Sequence, residues 1–193
     1  MPLLVADQRS EGWFKARQYR ITASVAAGCL GLHPHMSRQE AWRRCLGIQK
    51  ESENNATRWG VQFEEHAKTA YEVETGKLIE PTGFWVHPVH DFLGSSPDGF
   101  VDSDGVVEIK CPGKLPESVP IYHRIQMLVQ MLCTERTWGH YYAWTPDGAF
   151  LKRVDIAGAA GLIRKLEAFY RTYVLTNTEP PRKKPKRRSK GAA

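Results

Sequence analysis

The chain has 193 residues, 41% of them hydrophobic and 25% charged, which suits one domain of ordinary size with a real core. No apolar run approaches the ~18 residues of a bilayer span, and the N-terminus lacks the basic start of a secretory signal, so an intracellular protein without a membrane anchor is expected. The formal charge of +6 is concentrated at one end: without Arg182, Lys183, Lys184, Lys186, Arg187, Arg188 and Lys190, 20 basic residues face 21 acidic ones. The body therefore does not coat nucleic acid by bulk charge and would have to bind it through a local patch.

In chain order, residues 8–46 read as helical. Trp13, Phe14 and Arg17 stand at helical spacing, Thr22 or Ser24 is a suitable N-cap for an Ala-rich stretch ending at Gly28 or Gly31, and Ser37 with Glu40 forms a capping-box pattern over 37–46. Residues 50–56 are polar and read as a loop. Trp59, Phe63, Ala67, Ala70 and Tyr71 then recur at i, i+3 and i+4, predicting a helix over 57–75 that Gly76 closes. The period switches in the middle of the chain. Leu78–His87, Phe92–Val101 and Val106–Lys110 read as three strands separated by turn formers, the last two as a hairpin around Asp102–Gly105. A helix follows over 117–133 with Ile121, Ile125, Leu128 and Leu132 on one face. Next come strands Trp138–Trp144 and Phe150–Val154 around Thr145–Gly148. A final helix covers 158–175, with Leu162, Leu166, Phe169 and Tyr173 as its stripe. The order predicts an α/β domain, a mixed sheet flanked by helices, over 1–176, with a disordered basic tail over 177–193.

Cys29, Cys45, Cys111 and Cys133 form no C-x-x-C pair and read as reduced thiols. The His33-Pro34-His35 and His87-Pro88-Val89-His90 groups lack zinc-site spacing. The six tryptophans invite base stacking, but most fall on predicted core faces and read as packing.

The chemistry lies in Ser96-Pro97-Asp98-Gly99 and Val106-Val107-Glu108-Ile109-Lys110-Cys111-Pro112. Side chains alternate along a strand, so Glu108 and Lys110 share a side while Ile109 points away into the core. If the two strands pair as a hairpin, Asp98 lies near Glu108. An Asp-Gly alone is usually a turn, and an E-x-K alone is usually a surface ion pair. Here the charges interrupt an apolar strand that ends in Cys-Pro. Two carboxylates and a lysine suit phosphodiester hydrolysis with Mg²⁺, a hard cation that takes a few carboxylates plus water and phosphate. Lys110 can orient the attacking water or stabilise developing charge, and Glu64 can add a further carboxylate.

These segments resemble the lambda-exonuclease or YqaJ-type viral recombinase family of PD-(D/E)xK nucleases. Further blocks carry the same resemblance in order: Arg17 with Ile21-Thr22-Ala23-Ser24, Trp59 to Glu64 with Tyr71 and Thr75-Gly76, His90 to Gly94, Trp144-Thr145-Pro146, and Phe169-Tyr170. The resemblance implies a restriction-endonuclease-like core. It makes Asp98, Glu108 and the carbonyl of Ile109 ligands of Mg²⁺, for which Mn²⁺ can substitute. Lys110 would act on the nucleophilic water, Glu64 would support, and Arg17 and Ser24 would hold a DNA end. The family's helix carries Y-x-Q-hydrophobic-Q. Here the segment is Tyr122-His123-Arg124-Ile125-Gln126, so Gln126 is kept and Arg124 stands at the first glutamine, able to bind a phosphate or to misplace the water. His123 stands three residues before Gln126, within reach of DNA.

The implied activity is an exonuclease on ends of linear double-stranded DNA, from the 5′ end, acting as a ring-shaped homotrimer with a single-strand-annealing partner in recombination. The alternatives are an endonuclease of the same fold and a catalytically impaired DNA-binding recombination protein. The basic tail reads as a nuclear-import signal of a eukaryotic host, a nucleic-acid clamp, or both.

Overall fold

A computed structural model describes residues 3–7, 10–49, 55–157 and 159–182. Two four-stranded sheets lie among the helices. The first has the order β1 (Leu3–Ala6), β3 (Phe84–Val86), β4 (Leu93–Ser95), β2 (Ile21–Thr22). The second has the order β5 (Gly99–Val101), β6 (Gly105–Lys110), β7 (Trp138–Thr145), β8 (Gly148–Asp155). Each is mixed: β2 runs parallel to β4 and β6 parallel to β7, the other pairs antiparallel. The expected α/β class is therefore present, as two sheets instead of one.

The N-terminal region is two short helices around a strand, not one helical run: α1 (Glu11–Arg17), β2, then α2 (Ala23–Cys29). Ser10 caps α1 by accepting the N–H of Trp13 at 3.1 Å. α2 is built of small residues because it packs tightly. A Cβ on Gly28 would stand 2.6 Å from Met36 Sδ and 2.9 Å from Ala41 Cβ. In α3 (Arg38–Cys45) the expected capping box is complete, Ser37 Oγ accepting the Glu40 N–H and Glu40 Oε2 the Ser37 N–H. α4 (Asn55–Thr75) ends at Gly76, whose φ of 67° suits a residue without Cβ.

Two expected strands are shorter than read. Of Leu78–His87 only Phe84–Val86 pairs as a strand, Glu80 adding a single bridge to Phe100; Pro81, with no N–H, stands between them. Phe92–Val101 is not one strand but two, β4 and β5, in different sheets. Pro97 again cannot extend the ladder, and the chain crosses from one sheet to the other at Ser96-Pro97-Asp98.

β6 is the centre of the second sheet and is covered on both faces. Val107 and Ile109 pack with Ala67 and Tyr71 of α4, and Val106 packs with α5 (Ile121–Thr134). Each such aliphatic side chain contributes roughly 1.5–3 kcal/mol by leaving water. α5 starts after Pro120, four residues later than read, and is buried nearly all round; Ile121, expected on its core face, is 54% exposed. The last helix is α6 (Ala159–Phe169), continued by a π-helical turn over Tyr170–Val174, with Leu162, Leu166 and Phe169 buried as expected.

The thiols are free: Cys29, Cys45 and Cys133 are buried and Cys111 half-buried. The fold continues past Thr176, where Thr178 N–H bonds Tyr173 O at 2.9 Å, Glu179 pairs with Arg43 and Pro180 is buried. Residues 183–193, which hold most of the basic tail, lie outside the described residues. No helix among the described residues is long and apolar enough to cross a membrane.

Candidate active site

The hairpin of β5 and β6 brings Asp98 to Glu108. Gly99 pairs with Val107, and one step beyond the ladder Asp98 Oδ2 accepts the N–H of Ile109 at 2.7 Å, a side chain continuing what the strand cannot. Gly99 leaves no space for anything larger, since a Cβ there would lie 2.2 Å from Ile79 Cγ2 and 3.0 Å from Glu80 O. The Asp98 turn is thus pinned on both sides.

Glu108 is fully buried, at 0% exposure. A buried carboxylate is tolerated only when its oxygens are bonded. Gln126 Nε2 donates to Oε1 at 2.6 Å, Gln130 Nε2 donates to Oε2, and the Lys110 ammonium pairs with Oε1. Gln126 and Gln130 stand one helical turn apart on α5, so one face of that helix presents both amides to β6.

The electrostatics follow from this crowding. Asp98 keeps some residue surface, but its carboxylate lies deep among protein atoms. Burial first, then the charge of Glu108, push its pKa up to about 7 against the pull of Lys110; Glu64 adds a small upward push. For Lys110 burial works against the charge, but Glu108 and Asp98 overcome it and hold its pKa well above the ordinary lysine value. Lys110 is therefore a cation at any pH of interest, a donor and not a base.

Glu64 sits on α4, close enough for its charge to reach Asp98, and is paired with Lys68 at 3.0 Å. Among the described residues no three or more His, Cys, Asp or Glu side chains converge as a metal cage. The donor set still suits a divalent cation. Two hard carboxylates are crowded until one resists ionising, next to the backbone of Ile109, and Mg²⁺ keeps waters for its remaining positions.

Arg17 and Ser24 lie on the neighbouring elements. The Arg17 guanidinium stacks 4.0 Å over the Trp13 ring, and Trp13 Nε1 donates to Ser96 Oγ at 2.7 Å, which ties α1 to the turn before Asp98. Ser24 is in the first turn of α2, 3.3 Å from Thr22 Oγ1, and Thr22 is the register partner of Gly94. Arg124 goes elsewhere: it is exposed and lines a hollow with Phe150, Lys152 and Arg153, while Gln126 meets Glu108.

The model of the YqaJ-like viral recombinase domain matches residues 12–137, which span Trp13, Arg17, Ser24, Glu64, Asp98, Glu108, Lys110, Gln126 and Gln130. The chain belongs to this family. In structure the YqaJ-like chain is similar to an alkaline exonuclease from Laribacter hongkongensis, with a TM-score of 0.71 and 30% identity over 87% of this chain and 96% of that one. The same enzyme in complex with dAMP gives the same values. A phage-related exonuclease from Haemophilus somnus shares the fold at a TM-score of 0.62 and 15% identity, over 83% of this chain and 94% of that one. No curated protein sequence matches the chain.

Sequence reasoning on this YqaJ-like domain missed Gln130 and Tyr141. Gln130 was hidden among the apolar residues of α5, though its i+4 spacing from Gln126 was a usable signal. Tyr141 is the register partner of Glu108 on β7, and its hydroxyl lies 3.0 Å from His123 Nδ1. Burial first, then the charge of Lys110, push His123 down to about 3, so it faces the site as a neutral ring. Tyr141 is raised by burial and stays a protonated phenol.

Proposed function

We propose that this chain is a divalent-metal-dependent DNA exonuclease that digests one strand of linear double-stranded DNA from its end, as a step of recombination. The deoxyribonuclease activity accords with its family and with the alkaline exonuclease it resembles over most of both chains. The observation that carries the reading is the fully buried Glu108, held by Gln126, Gln130 and Lys110 beside Asp98. A carboxylate is costly to bury, and this one lies close enough to a second carboxylate for its charge to hinder the ionisation of Asp98, an arrangement that serves cation binding better than packing.

Asp98, Glu108 and the Ile109 carbonyl would hold Mg²⁺, with Mn²⁺ as a substitute. A bound divalent cation would lower the pKa of water and neutralise phosphate charge. Lys110 holds its proton and donates towards the nucleophilic water and the charge that develops on the phosphate. Gln126 fixes the rotamer of Glu108, and Glu64 supplies supporting negative charge from α4. Arg17 and Ser24 hold the phosphate of the DNA end, beside the Ser96 turn to which Trp13 ties α1. Action from the 5′ end, a homotrimeric ring, a single-strand-annealing partner and an intracellular place of work belong to the same reading.

The test uses purified protein on end-labelled linear duplex, with a closed circle alongside. Loss of the linear DNA alone supports the exonuclease, and the order of label release gives the polarity. Cutting of the circle makes it an endonuclease. Binding without digestion of either overturns the enzyme reading.

A further inference from the structure

α4 carries, next to Glu64, an aromatic group that the hydrolytic residues do not use. Trp59 and Phe63 are one turn apart with ring centroids 4.3 Å from each other; Phe63 lies 5.9 Å from Trp144 of β7; and His66 stacks on Trp144 at 6.4 Å with planes 21° apart. Phe63 and Trp144 are half-buried and form the support, with Trp144 packed against the small core that holds Ile109. Trp59, at 40% exposure, and His66 are the open rings at either end. A tryptophan usually finds cover for most of its large surface.

The ledge borders the site from the α4 side of the sheet. Phe63 precedes Glu64, whose charge reaches Asp98; Trp144, on the face opposite Lys110, shares a cluster with Cys111, which feels the charges of Glu64, Lys110 and Asp98. Exposed Arg58 adjoins Trp59 in sequence and can meet a phosphate. Open aromatic faces beside a backbone-binding cation are what unpaired bases stack on, and stacking tolerates any sequence because every base has a π-face. Paired bases inside a duplex have no free face to offer.

We propose that Trp59, Phe63, His66 and Trp144 form a stacking subsite for unpaired nucleobases of a DNA single strand beside the active site. The inference rests on the nuclease reading. A nuclease that removes one strand leaves the other unpaired within reach of such a ledge.

The test is fluorescence anisotropy in EDTA, which separates binding from digestion. Wild-type protein is titrated with oligothymidylate and with an abasic strand of equal length. The wild type should bind the base-bearing strand about ten-fold more tightly. Trp59→Ala should lose that preference with unchanged affinity for the abasic strand, and Trp59→Phe should keep most of it. Equal binding of both strands by the wild type overturns the subsite, as does an equal weakening of both by Trp59→Ala, which marks a structural role. If Trp59→Ala does not fold, the wild-type comparison and Trp59→Phe decide. Digestion of linear duplex is scored separately: digestion without base preference removes the ledge alone, and base preference without digestion removes the nuclease reading alone.

Discussion

Gln130 donates from Nε2 to one oxygen of Glu108 while Gln126 donates to the other, so two amides of one helix face clamp a single buried carboxylate. Gln130 is itself fully buried, and its amide oxygen has no hydrogen-bond partner among the described residues. Groups that orient a metal ligand typically matter ten- to a hundred-fold, roughly, in metal affinity. Gln130→Leu should raise the Mg²⁺ concentration for half-maximal digestion by about that factor. Isothermal titration with Mg²⁺ in the absence of DNA measures it directly; an unchanged affinity would make Gln130 a packing residue only.

Asp98 gives a pH dependence with a defined sign. Its pKa is raised from 3.8 to about 7 in the folded protein. Stability from its protonated form is therefore fully present below about 4 and is lost as pH rises through about 7. In EDTA, Asp98→Asn should melt higher than wild type above pH 7, and the gap should close below pH 4. His123 titrates with the opposite sign, its stability lost as pH falls from 6.5 towards about 3, but it is common to both proteins and cancels in the difference. A gap that does not vary with pH would show that Asp98 ionises without strain.

Gly99 tests the turn. A methyl group there would meet Ile79 and the Glu80 carbonyl, and overpacking of this kind costs about 1–3 kcal/mol. Gly99→Ala should lower the denaturation midpoint accordingly and reduce digestion by displacing Asp98. Full stability and full activity in the same variant would contradict the close approach.

Arg17 separates phosphate binding from structure. If it contacts a phosphate, Arg17→Ala should weaken DNA binding evenly across sequences and reduce the salt slope by about one. The measurement is affinity for a duplex end in EDTA over a range of salt. An unchanged slope with a lower melting temperature would mean that Arg17 only covers Trp13.

The core of the site was legible because its signals are local. An apolar strand interrupted by Glu108 and Lys110 states its own alternation, and the Ser37–Glu40 capping box was complete in sequence. What was not legible depends on tertiary contacts. Pro97 marks a break inside Phe92–Val101, but that its two halves join different sheets depends on their partners, and the Asp98–Ile109 bond continues the hairpin past it. Gln130 reads as a polar residue in an apolar helix until β6 is seen beneath it. Trp59 sits on the stripe that buries Ala67 and Tyr71, but is itself 40% exposed.

Lys110 carries the most direct test of the account. Digestion of end-labelled linear duplex is followed under single-turnover conditions for wild type and Lys110→Ala, with Mg²⁺ and with EDTA, and DNA binding is measured in parallel. Lys110→Ala should digest at least about a hundred-fold more slowly while still binding DNA, and EDTA should abolish digestion by both. Digestion by Lys110→Ala at the wild-type rate, or digestion by either protein in EDTA, would contradict it.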